Sequence, residues 1–460
     1  MFDMSKQNRG PAFDGRIPEP VLRAMRALRE SGYAAYLVGG CVRDLLSGLS
    51  PHDYDLTTSA FPDETEAVFK DFRVVETGIK HGTVTVLSDG MPLEITTFRT
   101  DGVYSDGRHP DKVTFTRSLE DDLSRRDFTV NAMAWSPEKG LVDLFGGEED
   151  LKNGILRCVG DPEKRFTEDA LRILRLCRFA SVLGMEPERE TADTALRLRD
   201  RLNAVSAERI YAECTKLLCG KNVFRVLMEF HPVLCVFIPE LADCVAFPQA
   251  SPYHCYDVYT HTAHVVAGVR PDPVLRWAAL LHDVAKPECF AFRDGRATFH
   301  GHPERGARMA ETILTRLRAD KKTTAAVSRL VRDHDRGLPE TRKGLLRLMA
   351  DHPEEEAIAL TELMEADGNA KSEAGRQTLP AIRALKETIE RMRAEEPCLT
   401  VADLAVSGED LLGCGFRPGK ELGDCLRDLL DGVQEDRIPN RKDDLLTAAT
   451  EWLAQRNTND

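Results

Sequence analysis

From Tyr33 to about Val159, short apolar segments alternate with segments of helical pattern. The apolar segments are rich in β-branched residues, and Gly82, Gly90 and Pro92 separate some of them. The pattern predicts five strands, at Ala34–Val38, Tyr54–Thr58, Thr83–Leu87, Leu93–Phe98 and Leu141–Asp143. Because helix-like segments lie between the strands, we expect a mixed sheet with flanking helices.

From Pro162 almost to the end of the chain, the pattern becomes helical. Residues 170–183, for example, carry apolar side chains at the spacing of an amphipathic helix. A turn-rich segment at 247–252 and a charged linker at 391–397 interrupt this pattern. We therefore predict five parts, which are a head (20–159), a helical neck (160–222), a helical body linker (223–250), a histidine-rich domain (251–375) and a helical tail (398–455).

The composition is typical of a soluble globular protein with several domains. At 460 residues the chain is too long for a single core, and no window reaches the roughly 18 apolar residues of a membrane span. Residues 1–15 are polar and lack the core of a signal peptide, so we expect a cytoplasmic protein. Twelve cysteines without a C-x-x-C pair argue against a zinc ribbon. The net charge of −14 argues against indiscriminate coating of nucleic acid.

The candidate chemistry of the head begins with two glycines and three carboxylates. Gly39 and Gly40 precede a helix-compatible run, where free backbone amides can hold a triphosphate. Asp53 and Asp55 lie two apart in a strand-like segment, which would point both to one side, and Glu94 is the candidate for a third carboxylate. Paired carboxylates bind Mg²⁺ and, through it, the phosphates of a nucleotide. A helix cap or turn is the alternative for the D-x-D pattern, but the whole set predicts a nucleotidyltransferase.

Further motifs follow in a fixed order. They are LVGGCVRDLL at 37–46 with DYDLTT at 53–58, RRDFTVNAMA at 125–134, DLFGG at 143–147, EDALR at 168–172 and SAERI at 206–210. Together they resemble the motifs of the class II tRNA nucleotidyltransferases, which are the CCA-adding enzymes of bacteria and eukaryotes and the related bacterial poly(A) polymerases. The resemblance covers roughly residues 33 to 220. It implies a polymerase β-like α/β head, an all-α neck, and addition of nucleotides to tRNA without a nucleic-acid template.

The resemblance assigns roles to residues of the head. Asp53 and Asp55 would be the ligands of Mg²⁺, and Glu94 would be the assisting carboxylate. Arg126 and Asp127 would contact the ribose 2′-hydroxyl, which distinguishes ribonucleotides from deoxyribonucleotides. The other nucleotide-binding residues of the head would be Gly39, Gly40, Arg43 and Asn131.

The resemblance also assigns recognition of the base to the neck. Asp169 and Arg172 lie three apart, and we expect them on one face of one helix. An Asp acceptor beside an Arg donor can pair with the Watson–Crick edge of cytosine and, after a small rearrangement, with that of adenine. Arg175 and Arg178 continue a basic ridge along which phosphates of the nucleotide or the tRNA could lie. A surface ion pair is the alternative for Asp169 with Arg172. A solvated helix face is the alternative for Arg197 and Arg201, which extend the ridge.

A second set of candidate ligands lies between residues 250 and 370. Its members are His261, His282, Asp283, Asp367, His302 and His334. Imidazoles combined with carboxylates bind first-row divalent metals. The order H…HD…D and the phrase LHDVAKP at 281–287 resemble the HD phosphohydrolase domain, which some of these nucleotidyltransferases carry. The resemblance implies an unidentified divalent metal on the first four residues, with the last two as additional ligands in some members. A purely structural HD domain is the alternative to a phosphohydrolase.

The tail resembles that of bacterial CCA-adding enzymes at residues 404–412 and 416–423. In the family this region grips the elbow of tRNA, which implies tRNA contacts for Gly419, Lys420 and Gly423 at a helix start. Plain helix capping by the glycines is the alternative. The tail is acidic, whereas the poly(A) polymerases typically have basic C-termini, so it favours CCA addition.

We therefore predict an enzyme that adds CCA to tRNA from CTP and ATP, away from any membrane and as a monomer or homodimer. A CC-adding, A-adding or poly(A)-adding enzyme of the same family is the alternative. The loop between Phe98 and Leu119 bears on this choice, because flexibility there is linked in the family to the switch from C to A. A third hypothesis is an HD hydrolase whose head is only an RNA-binding module. The intact Asp53 and Asp55 argue against it.

Overall fold

The structure is a computed structural model that describes residues 13, 15–78, 82–101, 113–293, 296–353, 355–395 and 397–457. The chain forms two compact units, and the division falls between Ala242 and Asp243. Part of the predicted loop between Phe98 and Leu119, namely residues 102–112, lies outside the described residues. Among the described helices, none is long and apolar enough to cross a membrane.

The first unit starts with alternating strands and helices. Their bounds are α1 (Glu19–Glu30), β1 (Ala35–Val38), α2 (Gly40–Leu46), β2 (Asp55–Thr58), α3 (Pro62–Val68), β3 (Arg73–Gly78), β4 (Thr83–Ser88), β5 (Met91–Thr97), β6 (Arg99–Asp101), β7 (Val113–Phe115), α4 (Leu119–Ser124), β8 (Met133–Ser136), β9 (Gly140–Asp143), α5 (Gly147–Asn153) and β10 (Ile155–Leu156). Helices then dominate, in the order α6 (Pro162–Glu168), α7 (Leu171–Leu183), β11 (Glu186–Pro187), α8 (Arg189–Leu198), α9 (Ala207–Leu218) and α10 (Val223–Phe237).

Seven strands form one mixed sheet in the order β3-β4-β5-β2-β1-β8-β9. β2 and β5 are parallel neighbours, whereas the other neighbours pair antiparallel. In the parallel pair Asp55 lies in register with Glu94. Two candidate carboxylates from distant parts of the sequence therefore stand side by side on adjacent strands.

The core of the head lies on both faces of this sheet. On one face, Val21, Met25 and Leu28 of α1 pack into a cluster that includes Leu37 of β1. Their spacing along α1 is that of one helical face, and fully burying each such side chain contributes about 1.5–3 kcal/mol. On the other face, Tyr36 and its β1 neighbour Val38 pack in a second cluster. All of β1 is buried because it has a covered side on each face.

All five predicted strands are present, which confirms the mixed sheet. Two members of the sheet were not predicted. β3 is an edge strand with a mixed polar sequence, and β8 lies within the RRDFTVNAMA motif. The four residues of β8 are all buried, so its short apolar run was the signal that could have located it.

The second unit is helical, as predicted, apart from one hairpin. Its elements are α11 (Val258–Gly268), α12 (Pro273–Leu281), β12 (Ala291–Arg293), β13 (Arg296–Thr298), α13 (His302–Arg316), α14 (Lys321–Asp333), α15 (Arg342–Asp351), α16 (Glu356–Asn369), α17 (Leu379–Ala394), α18 (Gly408–Gly413), α19 (Lys420–Gln434) and α20 (Lys442–Asn457). α12 illustrates why the helices start where they do. The side chain of Asp272 accepts from the backbone N–H of Leu275 at 2.9 Å, and Pro273 occupies the first turn.

Gly147→Ala should destabilise the head, because Gly147 packs against backbone at the start of α5. A Cβ at this position would lie 2.2 Å from the carbonyl oxygen of Thr129. A backbone carbonyl cannot relieve this clash by changing rotamer, as a flexible side chain can. We therefore expect a loss of about 1–3 kcal/mol in the free energy of unfolding. Thermal unfolding would measure it. Gly337→Ala is the control, since a Cβ there meets no heavy atom within 4 Å, and equal losses in both variants would contradict the prediction.

Candidate active site and metal centre

The three candidate carboxylates of the head lie close together, but not in the predicted way. β2 begins at Asp55, and Asp53 lies in the loop before it. The prediction that one strand carries both is therefore wrong. The β1–β2 ladder ends at the pair Leu37–Leu56, so no partner on β1 extends the strand back to Asp53. The third carboxylate, Glu94, is beside Asp55 through the β2–β5 register.

The electrostatics of this group indicate a cation site. Burial, together with the negative charges of Asp53 and Glu94, raises the pKa of Asp55 to about 6, and Arg126 acts in the opposite direction. A divalent cation bound between the carboxylates would remove their mutual repulsion. Carboxylate oxygens are also the ligands that Mg²⁺ prefers. The residues present therefore fit the predicted metal.

Gly39, which directly precedes α2, lets an arginine approach the start of this helix. Gly39 has φ of 78° and ψ of −133°, a conformation that suits glycine. A Cβ on Gly39 would lie 3.2 Å from Nη1 of Arg126. Arg126 in turn donates through Nη2 to the buried carboxylate of Asp122 at 3.2 Å. Because Arg126 also lowers the pKa of Asp55, this guanidinium lies near both the helix start and the carboxylates.

Asp127, one of the two predicted ribose-contacting residues, is hydrogen-bonded in a network with other predicted nucleotide-binding residues, and Arg126 is not part of it. Asp127 is buried, and its Oδ2 accepts from Nε of Arg175 at 2.9 Å while its Oδ1 accepts from Nδ2 of Asn131 at 3.1 Å. Arg43 donates through Nη1 to Oδ1 of Asn131 at 2.7 Å. Burial would raise the pKa of Asp127, but Arg175 and Asn131 hold it well below its ordinary value. Asp127 is therefore an ionised acceptor in a fixed position.

Asp169 does not share a helix with Arg172, so that prediction is wrong. α6 ends at Glu168 and α7 begins at Leu171, which leaves Asp169 at the junction with φ of −136° and ψ of 104°. Its carboxylate accepts from the backbone N–H of Leu171 at 3.1 Å and from Nη2 of Arg209 at 3.0 Å. An aspartate that bonds to a free N–H in the first turn starts a helix, and this local role interrupts the helix expected from spacing.

Arg172 is anchored rather than free. Its Nη1 donates to the carbonyl oxygen of Arg165 at 3.1 Å and to Oε2 of Glu168 at 2.9 Å. Its Nη2 donates to the carbonyl oxygen of Arg125 at 2.7 Å. The guanidinium of Arg172 thus ties α7 to the segment that precedes Asp127. Asp169 and Arg172 make separate side-chain contacts and do not form the simple surface ion pair that was the alternative.

The rest of the basic ridge faces internal partners. Arg178 pairs with Glu213 at 2.6 Å, and its guanidinium carbon lies 3.9 Å from the ring centre of Phe179. Arg175 binds Asp127, as described above, and its side chain is 32% exposed. A fully solvated helix face is therefore excluded for these two arginines. Contact with phosphates stays a prediction.

Two residues of the head site were not predicted. Asp122 lies four residues before Arg126, and it also accepts from Oγ1 of Thr57 on β2 at 3.3 Å. Burial would raise the pKa of Asp122, but Arg125 and Arg126 hold it below its ordinary value. The i, i+4 spacing of Asp122 and Arg126 was an available signal. Arg209, which binds Asp169, belongs to the last motif but its partner could not be inferred from sequence.

All six candidate ligands of the second unit converge in one buried cluster. Asp283 is at the centre, because its Oδ2 faces His261 and His282 while its Oδ1 faces His302 and His334. The relevant nitrogen–oxygen distances are 3.6 Å for His261–Asp283, 3.1 Å for His282–Asp283, 3.4 Å for His302–Asp283, 3.7 Å for His334–Asp283 and 3.0 Å for His261–Asp367. Two overlapping sets of three residues could each hold a metal ion, and they share Asp283.

The rings are oriented with one nitrogen toward this centre. Nδ1 of His282, His302 and His334 lies 2.8, 2.9 and 2.7 Å from the carbonyl oxygen of the residue three positions earlier. A carbonyl only accepts, so Nδ1 donates and Nε2 keeps a lone pair in the neutral ring. Among the described residues, the buried Nε2 atoms of His282 and His302 have no hydrogen-bond partner. This donor set fits the predicted divalent metal.

Two lysines beside the cluster were not predicted. Lys286 lies 2.7 Å from Asp283, and Lys371 lies 2.6 Å from Asp367. Burial would raise the pKa of Asp283, but His282 and Lys286 hold it well below its ordinary value. Lys286 belongs to the LHDVAKP phrase, and Lys371 follows Asp367 by one helical turn, so both had a sequence signal.

A cavity of about 420 Å³ adjoins the cluster, and its lining includes Lys371, Asp367 and His334.

The candidate residues of the tail lie where the sequence placed them, at a helix start. Gly419 directly precedes α19, Lys420 is its first residue, and Gly423 lies in its first turn. No heavy atom lies within 4 Å of a Cβ added at Gly419 or Gly423, so this side of the helix start is open. The tRNA contact predicted for these residues stays a prediction.

Known protein families match three regions of the chain. Family models match for the poly(A) polymerase head domain at residues 35–157, for the probable RNA and SrmB-binding site of polymerase A at 184–244, and for the HD domain at 253–403. The CCA-adding enzyme of Levilactobacillus brevis is 33% identical over 95% of this chain and 97% of its own. That of Ligilactobacillus salivarius is 49% identical over 49% of this chain and 57% of its own. The crystal structure of the Bacillus stearothermophilus CCA-adding enzyme in complex with CTP has a TM-score of 0.71 and 28% identity, covering 96% of this chain and 100% of that one.

The fold, the carboxylate group and these matches define a nucleotidyltransferase that carries an HD domain. More narrowly, the chain belongs to the family of CCA-adding enzymes, which are tRNA nucleotidyltransferases. The predicted family and the predicted fold class are thereby confirmed.

Asp55→Asn should stabilise the metal-free protein, and more at pH 8 than at pH 5. The pKa of Asp55 is about 6 in the folded protein and about 3.9 in an unfolded chain. The folded state therefore binds this proton more tightly, and ionisation of Asp55 opposes folding fully above pH 6 and less as the pH falls toward 4. The midpoint of thermal unfolding in EDTA would measure the effect. Asp71→Asn, at an exposed position, is the control, and an equal shift at both pH values would contradict the assignment.

Proposed function

We propose that this protein adds CCA to the 3′ end of tRNA from CTP and ATP by nucleotidyl transfer. The observation that carries the proposal is the register of Asp55 with Glu94, which brings the carboxylates together next to the glycine entry of α2. Family membership supports the choice of CCA as the product. The CTP bound by the Bacillus stearothermophilus relative supports a nucleoside triphosphate as substrate.

The residues of the head suit the steps of this reaction. Asp53 and Asp55 would hold Mg²⁺, with Glu94 assisting. Bound there, Mg²⁺ would acidify the attacking 3′-hydroxyl and neutralise the leaving pyrophosphate. The guanidinium of Arg126 lies at the start of α2. There, triphosphate oxygens would accept hydrogen bonds from this guanidinium and from backbone amides. The ionised Asp127 would accept from the ribose 2′-hydroxyl.

Base selection would involve Asp169 and Arg172 at the start of α7. Both side chains already have partners, namely Arg209 for Asp169 and Glu168 for Arg172. To bind a base edge, Arg172 would exchange its contact with Glu168 for an acceptor on cytosine or adenine. Because the two side chains have different partners, each can change its hydrogen bonds without the other. This suits a site that accepts first one base and then another.

The second unit is proposed to be a metal-dependent phosphohydrolase. Six ligands in a buried cluster, with oriented imidazoles and an adjoining cavity, support a metal-binding role. Lys371 lines that cavity and supplies a positive charge for a phosphate ester. A structural HD domain remains the second candidate, and the family-level alternative of CC, A or poly(A) addition remains for the head.

Asp55→Asn should reduce nucleotide addition by more than about 10²-fold, because it removes a ligand of the transition-state metal. The assay offers a tRNA that lacks CCA, with CTP and ATP, and sequences the 3′ ends of the products. The unaltered protein should add C, C and A and then stop. Asp283→Asn is the matched control in the other unit and should leave addition unchanged. Products ending in C-C, in a single A or in a long A tract would instead favour the alternatives.

Asp283→Asn should lower the amount of Mn²⁺ or Co²⁺ bound per chain more than His334→Ala does. The reason is that Asp283 faces both halves of the cluster, whereas His334 faces one. Metal analysis after equilibrium dialysis would measure the content. His264→Ala, outside the cluster, is the control. Unchanged metal content in Asp283→Asn would exclude this cluster as a metal-binding site, independently of nucleotide addition by the head.

A further inference from the structure

A second cavity in the second unit belongs to neither site described above. Its volume is about 450 Å³, which lies within the range of small-molecule sites. Residues of α15, α16 and the end of α17 line it, together with the segment 397–403 that leads into the tail. Two of its polar side chains, Arg393 and His352, have unsatisfied hydrogen-bonding atoms.

Arg393 supplies a positive charge with a free donor. Its Nη1 is buried and, in the part of the chain that the structure describes, has no hydrogen-bond partner. A guanidinium is charged at every physiological pH, and a buried donor without an acceptor is unfavourable. An acceptor brought into the cavity would remove that penalty.

His352 supplies a second polar atom in a fixed direction. The residue is only 1% exposed, and its Nε2 lies 2.8 Å from Oδ2 of Asp333. Because a carboxylate only accepts, Nε2 carries the proton of this bond, which also fixes the ring. The opposite atom, Nδ1, is buried and without a hydrogen-bond partner among the described residues.

The acidic residue of the lining does not balance Arg393. Oδ2 of Asp403 accepts from the backbone N–H of Leu399 at 3.1 Å and from the backbone N–H and hydroxyl of Thr400 at 2.7 and 2.9 Å. These bonds commit that oxygen to shaping the turn that begins the tail. Among the described residues, no carboxylate forms an ion pair with Arg393. Glu356, whose Oε2 lies 3.9 Å from Nδ1 of His352, is already paired with Arg329 at 2.6 Å. The cavity therefore offers a guanidinium without an ion-pair partner, which favours an anion.

We propose that this cavity binds a phosphate-bearing small molecule, with the phosphate held by Arg393 and His352. Phosphate oxygens accept strongly from a guanidinium. The second pKa of a phosphate ester is about 6, so near neutrality it can present either an O–H or a bare oxygen. The O–H can donate to a neutral Nδ1, and the bare oxygen can accept from a protonated Nδ1. A carboxylate ligand has no O–H to offer at neutral pH, and so the pair favours phosphate.

Hydrogen exchange of the full-length protein, read by mass spectrometry in EDTA, tests the proposal. The probes are inorganic phosphate, AMP and acetate. Phosphate and AMP should slow exchange several-fold in peptides that cover 397–403, whereas acetate should not. Binding of a probe to the head would slow peptides around residues 37–58 instead, so the two sites are distinguishable.

Arg393→Met should abolish this protection, and Arg393→Lys should retain part of it, because the charge remains. Arg391→Met is the matched control, since Arg391 lies on the same helix but is exposed, and it should keep full protection. The melting temperature of each variant shows whether it is folded. The proposal is overturned if the unaltered protein shows no protection, if acetate protects equally, or if Arg393→Met behaves like Arg391→Met.

Discussion

The parallel pairing of β2 with β5 is the constraint on which the head depends. In an otherwise antiparallel sheet, this one pair sets Asp55 beside Glu94. Like charges at that distance oppose folding unless a cation or a proton relieves them. The neighbouring elements meet this demand. Arg126 lies close by, and Asp122 fixes it from the buried side. The candidate catalytic group is thus an electrostatic strain that the fold tolerates and that a bound cation would relieve.

The second unit also contains carboxylates whose charges must be stabilised, but different side chains surround them. Asp283 and Asp367 are buried carboxylates, and lysines as well as imidazoles surround them. In the head, loss of solvation and repulsion from the neighbouring carboxylates raise the pKa of Asp55. In the second unit the cations dominate, and the pKa values of both aspartates fall well below the ordinary value although burial alone would raise them. The two centres therefore differ in how strongly protons compete for the ligand oxygens.

Sequence reasoning selected candidate ligands that the structure brings together, because their residue types and their neighbours are unusual at short range. The H…HD…D order and the D-x-D pattern are local, and the strands beside them follow a simple alternation. What failed was geometry that depends on contacts far along the chain. Whether Asp169 continues a helix or starts a new one is decided by its bonds to Leu171 and Arg209. The start of β2 is set by its pairing with β5, where Asp55 lies opposite Glu94, because the pairing with β1 has already ended at Leu56. Lys371 and Asp122 each lie four residues from a partner, but that spacing alone did not show that either side chain belongs to a site.

Three of the four histidines in the candidate metal centre, His282, His302 and His334, are each bonded to the carbonyl three residues before them, whereas Nδ1 of His261 lies 3.4 Å from the carbonyl oxygen of Ala370. Each of those three rings is therefore positioned by its own turn of backbone. Folding alone restricts these side chains, so metal binding need not order them, which would otherwise cost about 0.5–1.5 kcal/mol for each immobilised side chain. The centre is consequently preorganised. Exchange of one metal for another can then proceed without rearrangement of the protein, and selectivity must arise from the metal's own preference for this fixed set of donors.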